Sequence, residues 1–166
     1  MKTLFFLLLI GAVSPTLAAY KPTGTVPAAV TSSFEKRYPD ALVKKWMPVS
    51  LNDYAVRFKL HDVKYTAVFQ TNGKWEKTVR IYAPTHRIPD GVRQGFRHSG
   101  YEGCNIDGIK EVITPEGSTY VIAVDDGNYY DSDHHDVFTT DYLLTFTADG
   151  KMIGAHRAEF RDSAGL

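Results

Sequence analysis

Cysteine is nearly absent from this chain, whose 166 residues include one, Cys104. A single thiol cannot close an internal disulfide, so no disulfide framework holds this fold. Cys104 reads most simply as a small apolar core residue, with a free or intermolecularly paired thiol as the alternative. An excess of charge of either sign is also lacking, since Lys and Arg number 19 and Asp and Glu number 19. No basic run interleaves with aromatics, which removes the electrostatic footprint of a nucleic-acid partner. The recognisable catalytic signatures are missing too. There is no Gly-x-Ser-x-Gly, no Gly-rich phosphate loop and no His-Glu-x-x-His. His156 and Glu159, three positions apart on an extended segment, point to opposite sides and do not make an acid–base pair. These absences argue against an enzyme.

Long apolar runs are confined to one place, Leu4 to Ile10, which is too short to span a bilayer. Lys2 precedes it, Pro15 breaks it, and the small residues Ala18 and Ala19 follow. That order predicts a secretory signal over residues 1–19 with cleavage near Ala18 or Ala19, then a linker over 20–26. Export implies a periplasmic or secreted protein with no membrane span after signal removal.

What is present is a repeated phrase. "YTAVFQTNGKW" from Tyr65 and "YLLTFTADGKM" from Tyr142 share Tyr-x-x-x-Phe-x-x-x-Gly-Lys. In the first, Tyr65, Ala67 and Phe69 fall on one strand face, Asn72-Gly73 supplies a tight turn, and the return strand is expected to place Trp75, Val79 and Ile81 on one side. In the second, Tyr142, Leu144 and Phe146 correspond, with Asp149-Gly150 at the turn.

The likeness extends upstream. Pro27, Val30 and Phe34 match Pro89, Val92 and Phe96, each set reading as a short amphipathic helix with Pro at its first position. The stripes are Val26, Val30, Phe34 and Tyr38, then Ile88, Val92 and Phe96. A possible short strand follows each helix ("ALVKKWMPV", "NIDGIKEVI") and then an alternating one: Tyr54, Val56, Phe58 and Leu60, or Tyr120, Ile122 and Val124. The predicted fold is therefore α+β, with two tandem units of one helix and four antiparallel strands at 27–83 and 84–166. Tyr54 to Tyr65 is 11 positions whereas Tyr120 to Tyr142 is 22, so the second unit carries an insertion, an Asp/His/Tyr-rich loop over 125–141.

"FEKRYPDALVKKW", the alternating "YAVRF" and "AVFQTNGKW" together resemble the PepSY-like family of exported bacterial proteins, whose fold is similar to that of β-lactamase-inhibitor proteins. The resemblance runs from about Pro27 to Phe160 and rests on Phe34, "YPDA" at Tyr38 to Ala41, Trp46 and the two Gly-Lys hairpins. The second unit departs from it, with "HSGYEGCNI" where the first has "KRYPDALV". It implies one continuous curved sheet of about eight strands with helices on one face, a bacterial envelope location, and binding or inhibition of another protein rather than catalysis.

Candidate partner-binding residues are His61 and Asp62 at a short strand turn, Tyr129 and Tyr130 in the insertion, and Trp46 and Trp75. Aromatics at alternating spacing also serve as core, which is the competing reading of both Trp residues. The face carrying Arg57, Lys59, Thr66, Glu76 and Arg80 is expected to be exposed beside aromatics. Within the insertion, Asp131, Asp133, His134 and His135 are ligand types for Ca²⁺ or Zn²⁺, although no EF-hand register is present and adjacent histidines diverge on an extended chain. A solvated polar loop is the alternative. Two functions follow: a non-enzymatic module, monomeric, that binds or inhibits an envelope or extracellular protein or peptide, or an envelope metal-ion or small-ligand binding protein.

Overall fold

The computed structural model describes residues 25–82, 88–125, 130–131, 137–138 and 141–157. The chain order is α1 (Ala28–Arg37), β1 (Leu42–Pro48), β2 (Asp53–Leu60), β3 (Val63–Gln70), β4 (Trp75–Tyr82), α2 (Asp90–Arg97), β5 (Asn105–Thr114), β6 (Gly117–Asp125), β7 (Tyr130–Asp131), β8 (Val137–Phe138), β9 (Asp141–Thr147) and β10 (Met152–Arg157). Eight strands form one open antiparallel sheet in the order β1-β2-β3-β4-β5-β6-β9-β10, and β7 pairs with β8 as a separate ribbon.

Each helix begins after a proline. Pro27 and Pro89, expected at the first helical position, stand instead at the N-cap one residue before it, where a missing N–H is equally harmless. In α1, Val30 and Phe34 are one turn apart and both buried, while Lys36 and Arg37 face the negative end of the helix dipole. In α2, Val92 is buried and Asp90 pairs with Arg93 across the first turn.

The cross-strand register decides which face each helix covers. Residues paired across antiparallel strands share a face. Val56 pairs with Ala67, Ala67 with Thr78, Thr78 with Ile113, and Tyr82 with Ile109, which continues through Ile122 to Leu144. This face therefore runs across the whole sheet, and both helices lie on it. Val30 and Phe34 pack with Val56, Phe58, Ala67 and Phe69, and Val92 and Ile88 with Ile109, Tyr120, Ile122, Val124, Leu144 and Phe146. Phe34 is the centre of the first cluster, with ring centroids 5.1 Å from Phe58 and 5.4 Å from Trp46. Truncating such a ring to Ala costs about 3–5 kcal/mol.

The alternation predicted for β2, β3, β6 and β9 is the one observed. That for β4 is not. Val68 pairs with Lys77 but Phe69 pairs with Trp75, so Glu76 is an extra, bulged residue. The bulge keeps Trp75 on the helix-covered face and sends Val79 and Ile81 to the other, so these three do not share a side. Arg80, expected beside Arg57 and Thr66, pairs with Tyr65 and Glu111 on the helix-covered face instead.

Helix and turn meet closely in both halves of the sheet. A Cβ on Gly73 would come within 2.6 Å of the Ala29 carbonyl oxygen and 2.7 Å of Ser33 Oγ. Gly150 occupies the corresponding place against Gly91 and Gly95 of α2, and both turn glycines have positive φ, 87° and 95°. Small residues one turn apart on the helix let the hairpin turn dock against it.

Candidate functional site

The face turned away from the helices is built from the alternate residues of every strand. One lateral row reads Lys45, Arg57, Thr66, Val79, Val112, Thr119 and Thr147, each paired with the next across seven strands. A neighbouring row pairs Lys59 with Lys64, and beyond them Ile81, Lys110, Val121, Thr145 and Gly154. Lys77 joins this face opposite Val68. It carries no aromatic side chain among the described residues of the sheet, because Trp46, Tyr54, Phe58, Tyr65, Phe69, Trp75, Tyr82, Tyr120, Tyr142 and Phe146 all fall on the helix-covered side. The expectation of exposed charges beside aromatics is corrected accordingly.

Strand alternation also places the turns. The β2–β3 turn and the segment between β6 and β9 lie at the same end of the sheet, opposite the β3–β4 and β9–β10 turns. In the β2–β3 turn, His61 and Asp62 are both exposed and both have positive φ, 48° and 63°. Such two-residue hairpin turns favour Asn-Gly or Gly-Gly, so His-Asp here holds a conformation costing on the order of 1 kcal/mol or more.

The two candidate tryptophans sit elsewhere. Trp46 and Trp75 are half-buried against α1. Trp75 Nε1–H donates to Thr78 Oγ1 at 2.9 Å, and the Arg37 guanidinium lies 3.5 Å above its ring centre. Tyr38 and Thr78 hydroxyls share a 2.5 Å hydrogen bond beside it. The structure thus separates Trp46 and Trp75 from His61 and Asp62. Tyr129, Asp133, His134 and His135 lie outside the described residues; of Tyr130 and Asp131 only the backbone is described, as β7 paired with β8. Among the described residues no cluster of three His, Cys, Asp or Glu has a metal-holding arrangement. Cys104 is half-buried against the second core.

A buried carboxylate on the helix-covered face was not visible in the sequence. Glu111 accepts hydrogen bonds from the Tyr82 and Tyr120 hydroxyls, each at 3.1 Å, and Arg80 stands 3.9 Å from it and 4.6 Å over the Tyr82 ring. Burial and the neighbouring Glu111 charge raise both phenols above their ordinary range, Tyr120 strongly. The only sequence signal was the identical parity of Tyr120 and Glu111 once their strands are paired. The network satisfies every heteroatom of the carboxylate and so reads as internal glue rather than a reactive site. At the opposite end of the sheet from His61, a shallow polar recess is lined by Asn52, Asp53, Gln70, Thr71, Asn72 and Glu76, with Gln70 donating to Glu76 at 2.8 Å.

One open antiparallel sheet with two helices is the α+β architecture of BLIP-like proteins. The chain belongs to the PepSY-like family described as "Putative beta-lactamase-inhibitor-like, PepSY-like", which matches residues 52–153. Solved structures share the fold. A BLIP-like protein from Bacteroides fragilis NCTC 9343 superposes with a TM-score of 0.69 at 20% identity, covering 84% of this chain and 89% of that one. A DUF2874 family protein from Bacteroides uniformis ATCC 8492 gives 0.68 at 23% identity, covering 79% and 88%. A protein from Bacteroides eggerthii DSM 20697, described as "putative periplasmic", gives 0.65 at 18% identity, covering 81% and 90%. No curated protein matches the chain. No described helix is long and apolar enough to cross a membrane.

Proposed function

We propose that this protein is a non-enzymatic binding module of the bacterial envelope, periplasmic or secreted after removal of residues 1–19, that recognises or inhibits another protein. The observation that carries this reading is the asymmetry of the sheet. Both helices cover one face, and the other, which neither helix covers, presents seven-strand rows of Lys, Arg, Thr and Val. A broad surface of short side chains between long cationic ones suits contact with a macromolecule better than enclosure of a small one. In this reading the exposed His61–Asp62 turn rims the surface at one end, joined by Tyr129 and Tyr130 of the insertion. Trp46, on the edge strand, and Trp75 would touch a partner that reaches around β1. The reading also takes the chain as two tandem helix-plus-four-strand units, supported by the matching contacts of Gly73 with Ala29 and Ser33 and of Gly150 with Gly91 and Gly95.

A photo-crosslinking residue placed at Thr66, on the open face, and separately at Ser32, exposed on α1, tests the proposal in the envelope of the producing cell. The Thr66 position is expected to give a discrete protein adduct and the Ser32 position none. Adducts from Ser32 alone would overturn it.

A further inference from the structure

Six cations stand on the open face: Lys45, Arg57, Lys59, Lys64, Lys77 and Lys110. Its described carboxylates stand at its two ends, Asp53 and Glu76 beside the polar recess and Asp125, paired with Asp141, at the end nearer the His61 turn, so the cations hold the middle of the face. Net charge over the whole chain is zero, so this is segregation and not a general excess of base. Among the described residues the ion pairs are Arg80–Glu111 and Arg93–Asp90, both on the other side of the sheet, and none of the six cations takes part in one.

Two features show that the segregation is costly to the free protein. Lys45 is paired directly with Arg57, and Lys59 directly with Lys64. Like charges opposite each other on one face destabilise a sheet by roughly 0.2–1 kcal/mol per pair. Beside these cations one row continues as Val79, Val112 and Thr119 and the other as Ile81, Lys110 and Val121, a moderately apolar strip with Lys110 as its one cation. The whole row from Lys45 to Thr147 spans about 29 Å at the usual inter-strand spacing.

We infer that the partner presents an acidic, otherwise apolar polypeptide segment to this face, its carboxylates set against Lys45, Arg57, Lys59 and Lys64 and its apolar side chains against Val79, Val112 and Val121. This deepens the proposed function and rests on it. A polypeptide fits better than the other polyanions. Single-stranded nucleic acid is bound by aromatic platforms, and this face has no aromatic among the described residues. An anionic bilayer is served by clustered protruding apolar anchors, whereas the exposed ones on this face are Leu42 at its edge and Ile81 two strands beyond Lys59, with Ala55, Val68 and Ala123 buried between longer side chains.

The test is a titration of ¹⁵N-labelled protein with an alternating Glu-Val octapeptide, a Lys-Val octapeptide and vesicles of anionic phospholipid. The Glu-Val peptide is expected to bind and to move the amide signals of Arg57, Lys59, Thr66 and Lys110, with affinity falling at least about tenfold from low to high salt because exposed charges are screened. The Lys59→Glu/Lys64→Glu variant, whose thermal unfolding confirms folding, is expected to lose that binding and to take up the Lys-Val peptide. Equal binding of both peptides by the unaltered protein, signal changes confined to α1 and α2, or binding of vesicles alone would overturn the inference. A partner crosslinked from Thr66 without any response to the Glu-Val peptide would reject the acidic chemistry and leave the binding face standing; loss of both would reject the face as well.

Discussion

Lys59 and Lys64 face each other across β2 and β3 on the open side of the sheet, joined by backbone pairing and opposed by charge. Replacing one of them with an acid turns repulsion into attraction. Lys59→Glu is expected to raise stability by about 0.5 kcal/mol, a gain that shrinks in high salt. Thermal unfolding at two ionic strengths checks this; a lower midpoint at low salt would show that the two ammonium groups do not interact.

The docking of α2 on the β9–β10 turn is a matter of missing side chains. Gly95→Ala would drive a Cβ into the Gly150 backbone, and Gly150→Ala would add a strained left-handed alanine at φ 95°. Each is expected to cost about 2–3 kcal/mol. Gly103→Ala, where a Cβ meets open space, is expected to stay within about 0.5 kcal/mol of the parent. Denaturant unfolding of the three variants separates a tight helix–turn contact from a loose one.

Much of this arrangement was legible from alternation. Tyr54, Val56 and Phe58, or Tyr120, Ile122 and Val124, keep strict period two, and a half-buried strand allows only one face for such a set. The β4 face was not legible, because the single extra residue Glu76 inverts everything after it, and no local pattern announces a bulge. Arg80 therefore lies on the opposite side from the one its parity with Arg57 and Thr66 predicts. The small residues at 29 and 33 and at 91 and 95 were in plain view, one position before the matching Val and Phe, but their meaning depends on a turn that arrives some forty to sixty residues later. His61 and Asp62 were legible as a turn, whereas their positive φ required coordinates.

The Glu111 network predicts the alkaline behaviour. Tyr120 and Tyr82 are held protonated in the folded state by burial first and by the Glu111 charge second, against an ordinary value of 10.0. Their folded values lie above the unfolded ones, so this contribution is fully present below about pH 10 and is lost as pH rises through the folded values. Stability is expected to fall above about pH 10, with phenolate absorbance rising together with unfolding. Tyr120→Phe is expected to flatten that slope while lowering stability near neutrality by about 1 kcal/mol through the lost hydrogen bond. An unchanged slope would contradict the assignment.

The His61–Asp62 turn sets stability against recognition. Asp62→Gly supplies the residue that φ 63° favours and is expected to stabilise the hairpin by about 0.5–1 kcal/mol. If this turn rims the binding surface, the same substitution weakens partner capture from Thr66. Increased stability with undiminished capture would place the turn outside the interface.

The central claim is that the partner covers the open face. It is tested most directly by lysine footprinting of the protein with and without the partner captured from Thr66. The account predicts that acetylation of Lys59, Lys64 and Lys110 slows markedly in the complex while that of Lys36, exposed on α1, is unchanged. Protection of Lys36 with Lys59 and Lys64 still reactive would contradict it.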